Sequence, residues 1–247
     1  MKQRLISVIR RQPAVYRASI EVLSWLQSPI ERWRGTSSKE KWWSSRTIGA
    51  GYWANRDHPS KHFLADRISS FSPINSMLEI GCASGPNLFL LSKRYPKAQL
   101  AGIDINQEAV EYGNQRLTEE GVKNVRLSVG KADALGQFPD KSFDLVFTDA
   151  VLIYIGPDRI EHVLKDMLRV SRKGLVLMEL QRSDPHVKKS SGLGICQGEN
   201  WVRDYTVLLE HFVSRQQIRV TRIPEEIWPV SPWKEFGAII EVTLRQG

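Results

Sequence analysis

The chain has 247 residues, of which 41% are hydrophobic, 25% charged and 9% aromatic. This is the composition of a globular protein long enough to bury a sizeable core, and it excludes a peptide that needs disulfides to fold. No apolar run reaches the roughly 18 residues of a membrane helix, and the basic start Met1–Arg11 is too interrupted for a signal peptide. Two cysteines, Cys82 and Cys196, make neither a Cys-rich metal site nor a disulfide framework. A cytoplasmic, reducing location is the expectation.

The net charge of +8 is concentrated at one end. Residues 1–47 hold ten basic and three acidic side chains, leaving the remaining 200 nearly neutral. The spacing of Leu5, Val8, Ile9, Val15, Ile20, Leu23 and Leu26 predicts amphipathic helices broken near Pro13 and stopped near Pro29. A cap on the core is the plain reading of this extension. Residues 1–34 also have the basic and Trp-containing character of a helix on an anionic membrane surface. Nucleic-acid binding is disfavoured, because net charge alone gives only non-specific attraction.

Residues 35–47 read as a polar linker carrying Trp42 and Trp43, and a domain is expected from 48 to 247. A helix is predicted from Ser60 to Ser69, with Ser60 as its cap. Strand and helix segments then alternate: strand 77–80, helix 86–94, strand 98–103, helix 107–120, strands 125–129 and 143–148, helix 158–170, strand 174–180. That order predicts a parallel sheet covered by helices on both faces. Residues 181–198 form a polar, turn-rich insertion, followed by a predicted helix 201–213 with Asn200 as cap. The β-branched runs 218–223 and 238–244 suggest a final antiparallel pair.

The segment Leu78-Glu79-Ile80-Gly81-Cys82-Ala83-Ser84-Gly85-Pro86 carries the strongest chemical signal. A strand enters a small-residue turn and then a helix, so a ligand can approach the backbone and meet free N–H groups at the helix start. Asp104-Ile105 follows at the tip of the second strand, where a carboxylate can accept both hydroxyls of a ribose. After the third strand, Asp133 can receive the exocyclic amine of an adenine, with Ala134 and Leu135 bracketing its ring.

Together with Phe143–Leu152, this set resembles the class I methyltransferases that use S-adenosylmethionine, over roughly residues 75–180. The resemblance implies a Rossmann-like α/β fold: a seven-stranded, mostly parallel sheet with an antiparallel last strand. It implies that Gly81, Ala83 and Gly85 pass close to the methionine part of the cofactor, and that Glu79 organises its amino end. Asp104 would hold the ribose, Asp133 the adenine amine, and Asp149-Ala150 would lie beneath the sulfonium. Ala83 stands where the family often has glycine.

For catalysis the candidates are Tyr154, at a place where relatives often have histidine, His62 before the first strand, and His186 in the insertion. His58 reads as a surface-loop residue and His211 as structural. Asp149 has no evident set of carboxylate partners, so no metal is expected. The acceptor is expected to be a small molecule, perhaps a sugar, a lipid-linked glycan or a secondary metabolite, methylated on oxygen or nitrogen. The competing readings are a protein or RNA methyltransferase, an NAD(P)-dependent oxidoreductase sharing the glycine turn and acidic residue, and a non-catalytic cofactor-binding protein.

Overall fold

The computed structural model describes residues 39–183, 192–197 and 200–244. The expectations for residues 1–34, for His186 and for half of the 181–198 insertion (184–191 and 198) lie outside these residues. Seven strands form one sheet: β1 (Ser76–Ile80), β2 (Gln99–Asp104), β3 (Val125–Val129), β4 (Phe143–Asp149), β5 (Ser171–Leu180), β8 (Ile218–Arg222) and β9 (Gly237–Thr243). Their order is β3-β2-β1-β4-β5-β9-β8. Pairings from β3 to β5 are parallel, and β9 runs antiparallel to both β5 and β8. A short hairpin, β6 (Ile195–Gln197) with β7 (Asn200–Val202), stands apart.

Side-chain alternation builds two cores. Met77, Leu145, Phe147, Val176, Met178 and Ile239 face one layer, which includes Leu64 and Ile68 of α2 (Pro59–Ser69), Leu88 and Leu91 of α3 (Pro86–Arg94), and Val110 and Leu117 of α4 (Gln107–Glu119). Leu78, Ile80, Val146, Leu175, Leu177 and Ile240 face the other. There they meet Ile160, Val163, Leu164 and Met167 of α5 (Ile160–Val170) and Tyr205, Leu208 and Leu209 of α6 (Tyr205–Glu210). Burial on both faces is why these strands read as nearly continuous apolar runs.

Several local expectations are corrected. Residues 39–44 are helical rather than a linker, and a further short helix, α1 (Gly49–Ala54), follows them. The cap of α2 is His58, whose Nδ1 accepts from Ser60 N at 3.2 Å, so Ser60 lies inside the helix. The predicted helix 201–213 splits: Trp201 and Val202 pair with Ile195 and Cys196 in the hairpin. The helix begins at Tyr205, where the Asp204 side chain accepts from the N–H groups of Thr206 and Val207. A β-propensity run beside a partner strand outweighs the 3.6-residue pattern here. A last small helix, α7 (Trp233–Phe236), leads into β9.

The chain leaves β1 for β2 on one side and places β4 on the other, so the carboxyl ends of β1 and β4 border a crevice at the switch point of the sheet. Open α/β sheets bind ligands in such a crevice.

Candidate functional site

The floor is the turn after β1. Gly81 N and Cys82 N both donate to Ile103 O, at 2.7 and 3.1 Å, which fixes the turn to β2. Gly81 has φ +73°, and a Cβ there would meet Val151 Cγ2 at 2.2 Å, so only glycine fits. Ala83 is also left-handed, at φ +46°. Across the crevice, Asp104 Oδ2 accepts from Ala83 N and Oδ1 from Asn106 N, both at 2.8 Å. Each oxygen keeps a further lone pair. Burial raises the Asp104 pKa against the pull of these backbone donors.

The second turn follows β4, with Ala150 at φ +60°. Backbone strain of this kind, held in place by surrounding structure, clusters at functional sites. The structure that holds it is a buried pair of opposite charges. Glu179 accepts from Thr148 Oγ1 at 2.7 Å and from the backbone N–H groups of Val151, Leu152 and Ile153 at 3.1–3.2 Å. Burial pushes its carboxyl up to about 7. Arg203, fully buried, takes the other end of the same turn, donating to Leu152 O at 2.7 Å and to Ile155 O, and also to Leu193 O at 3.0 Å. Tyr154 is carried on the turn between these clamps.

A polar chain crosses behind the two turns. Asn87 Nδ2, on α3, donates to Glu79 Oε1 at 2.7 Å and to Asp149 Oδ2 at 3.0 Å. Lys61 Nζ, on α2, reaches the same Asp149 oxygen at 3.3 Å, with both side chains at most 10% exposed. Glu79 Oε2 and Asn87 Oδ1 are buried with no hydrogen-bond partner. Burial raises the Glu79 carboxyl to about 8.

The cover comes from residues 39–55. Asn106 Nδ2 donates to Trp43 O and Arg46 O, at 2.7 and 2.8 Å, while its Oδ1 caps α4. Glu108 Oε2 accepts from Ile48 N and Gly49 N, at 2.8 and 3.0 Å, and Ser84 Oγ donates to Gly49 O at 2.8 Å. Trp43 lies 4.9 Å from the Tyr154 ring. Glu40 shares Arg159 Nη1 with Asp133, both at 2.6 Å, and Lys131 reaches Glu40 at 3.0 Å. The cover is therefore tied to the residues next to Asp104 and Asp133.

The cavity beneath this cover measures about 480 Å3, within the range of small-molecule sites. Gly81, Ala83, Asp104, Ile105, Asp133, Asp149, Ala150 and Tyr154 line it, so one cavity gathers most of the residues singled out in the sequence. Glu79, Gly85 and Ala134 stand behind the lining rather than in it. His62 is exposed and also outside the lining, whereas His58 and Lys61 are in it. His211 is exposed and pairs with Glu161 at 3.1 Å. Sequence reasoning missed Lys61, Asn87, Glu179 and Arg203. The Asn one residue after the Gly85-Pro86 helix start was the one local signal; the others act through contacts from distant segments.

Residues 77–174 match the family described as "Methyltransferase domain". An uncharacterized protein of Rickettsia prowazekii is 32% identical over 95 residues, covering 37% of this chain and 38% of that protein. A demethylmenaquinone methyltransferase of Geobacillus stearothermophilus is 32% identical over 109 residues, 44% of this chain and 45% of that enzyme. The chain thus spans less than half the length of these curated relatives. Among solved structures, the magnesium protoporphyrin IX methyltransferase of Synechocystis PCC 6803, with bound S-adenosylhomocysteine, is similar in fold: TM-score 0.57 at 14% identity, over 88% of this chain and 95% of that one. Residues 77–174 thus match a methyltransferase domain, and the strand order is that of the fold shared with the solved methyltransferase structure.

Proposed function

We propose that this protein is an S-adenosylmethionine-dependent methyltransferase acting on a small molecule. The observation that carries the reading is Asp104, fixed by two backbone N–H groups opposite the glycine turn, with acceptor capacity left for a ribose. The rest of the cavity suits the same ligand. Asp133 holds Arg159 through Oδ2 alone, which leaves Oδ1 for an adenine amine. Behind the lining, the unpartnered Glu79 Oε2 and Asn87 Oδ1 are buried polar atoms that a water bridging to the amino-acid end of the ligand satisfies.

S-adenosylmethionine, when bound, supplies an electrophilic methyl group on a sulfonium. The protein's own task is then to hold the acceptor in line and to exclude water. The Trp43-bearing cover does the second, over a cavity already closed below by the turns at Gly81 and Ala150. Tyr154 is the predicted catalytic side chain that lines the cavity, and we assign it to the acceptor end. His58 serves differently. Its Nδ1 is engaged at the start of α2, 2.8 Å from Ser60 Oγ and 3.2 Å from Ser60 N, so that nitrogen is occupied by the helix cap.

A small acceptor is supported by the size of the covered cavity and by the similar proteins, whose names specify demethylmenaquinone and magnesium protoporphyrin IX. The test is to incubate the protein with methyl-tritiated S-adenosylmethionine and, separately, the low-molecular-weight, RNA and protein fractions of one bacterial extract. Label in the low-molecular-weight fraction is the expected outcome. Label confined to RNA or protein would reverse the choice of acceptor class.

A further inference from the structure

The order of strand tips along the sheet also orders the cavity. Asp133, Asp104, the Gly81 turn and the Ala150 turn follow β3, β2, β1 and β4, which together make up one half of the sheet edge. The lining continues past β4 onto the other half. Because β9 is antiparallel, its start, Gly237, pairs with Leu180 at the end of β5, and Arg222 at the end of β8 pairs with Ala238. The β8–β9 connection therefore lies on the same edge as the two turns, and it brings Trp228 and Trp233 into the cavity lining. The two indoles are stacked, with 4.1 Å between centroids and 7° between planes. Trp233 is buried on α7, and the half-buried Trp228 has the His58 ring at 5.6 Å. Tyr154, Ile155 and Asn200 join them in the lining.

We infer that this end of the cavity takes an uncharged, planar aromatic acceptor, with Trp228 as the residue that selects it. The inference rests on the methyltransferase reading above and narrows its acceptor class. The carboxylates and ammonium groups of the lining are engaged elsewhere: Glu40 with Arg159 and Lys131, Lys61 with Asp149, and Lys39 toward the Trp42 ring at 5.8 Å. An anionic acceptor would leave its charge against indole and isoleucine without a partner, at a desolvation cost. A cationic acceptor could lie on an indole face, but the neighbouring sulfonium would repel it. A flat neutral ring avoids both costs and gains the stacking that aromatic faces favour. The stacked Trp233 fixes the orientation of Trp228 before the acceptor arrives. The specificity device thus lies outside residues 77–174, in a connection that the antiparallel last strand returns to the cavity.

The experiment is equilibrium dialysis of the full chain, as wild type, Trp228→Leu and Trp228→Phe, saturated with sinefungin, which carries an ammonium in place of the sulfonium. Four probes are compared: 2-naphthol, its 6-carboxylate, its 6-aminomethyl derivative, and the saturated, non-planar 2-decalol. Wild type should bind 2-naphthol about tenfold or more tightly than each of the other three. Trp228→Leu keeps an apolar side chain and loses the ring. It should weaken 2-naphthol by about tenfold while 2-decalol stays within about twofold, and Trp228→Phe should recover most of the loss. Sinefungin affinity within about twofold of wild type shows each variant to be folded. A charged derivative that binds as tightly as 2-naphthol would overturn the inference. So would equal effects of Trp228→Leu on 2-naphthol and 2-decalol, or a wild type that binds sinefungin and none of the four probes. Failure of the wild type to bind sinefungin would overturn the methyltransferase reading itself.

Discussion

Gly81 shows how one residue ties the two turns of the site together. Its left-handed φ and the 2.2 Å approach that a Cβ would make to Val151 Cγ2 are separate demands. Gly81→Ala should cost about 2–4 kcal/mol, part backbone strain and part overpacking. In a Val151→Ala background the overpacking part disappears, so the double mutant should be less destabilised than the sum of the two singles. Chemical denaturation of all four proteins measures this coupling; simple additivity would contradict the contact. The glycine turn, Asp104 and Asp133 were legible in the sequence because their chemistry is local: strand ends followed by small or acidic residues. Lys61 was not legible. It sits 88 residues from Asp149 in the chain, and nothing near Lys61 distinguishes it from a solvated lysine.

At the scale of elements, the turn bearing Tyr154 is held by groups from β5 and from the residue after β7. Arg203 is surrounded by carbonyl oxygens of Leu152, Ile155 and Leu193, and it cannot shed its charge. Arg203→Met should leave these acceptors unpaired in the interior and cost about 3–5 kcal/mol, a drop in Tm of roughly 10 °C. A melt within about 2 °C of wild type would show that the clamp contributes little. The sequence pattern gave Arg203 to a helix running from 201 to 213. The error has a physical source: Trp201 and Val202 have the spacing of a helix face, yet they find strand partners in Ile195 and Cys196, and Asp204 restarts the chain as a cap. The repeating strand–helix elements between 76 and 180, by contrast, carry apolar patterns that tertiary pairing does not override. The helical segment 39–44 reads as a linker in the sequence because its polar face dominates, while its anchorage comes from Asn106 far along the chain.

Across the whole molecule, two buried carboxyls make stability depend on pH. An ordinary glutamate ionises near 4.5, whereas burial moves Glu79 to about 8 and Glu179 to about 7 in the folded chain. Both therefore hold their protons more tightly folded than unfolded. Their contribution to stability is complete below about pH 4.5 and is lost as pH rises toward 8, at about 1.4 kcal/mol per pH unit for each proton. The Tm of the ligand-free protein should fall between pH 5 and 8, and Glu79→Gln should flatten that slope. A Tm that climbs through the same window would contradict the burial argument for Glu79.

The strand order, the strained turns and the two cavity-facing aspartates converge on one claim, that this crevice binds S-adenosylmethionine. Calorimetric titration with S-adenosylhomocysteine, run beside NADH and beside Asp104→Ala, tests it most directly. The account predicts binding by the wild type, a loss of about tenfold or more in the variant, and no signal with NADH. Tight NADH binding without S-adenosylhomocysteine binding would contradict it and make the crevice a dinucleotide site.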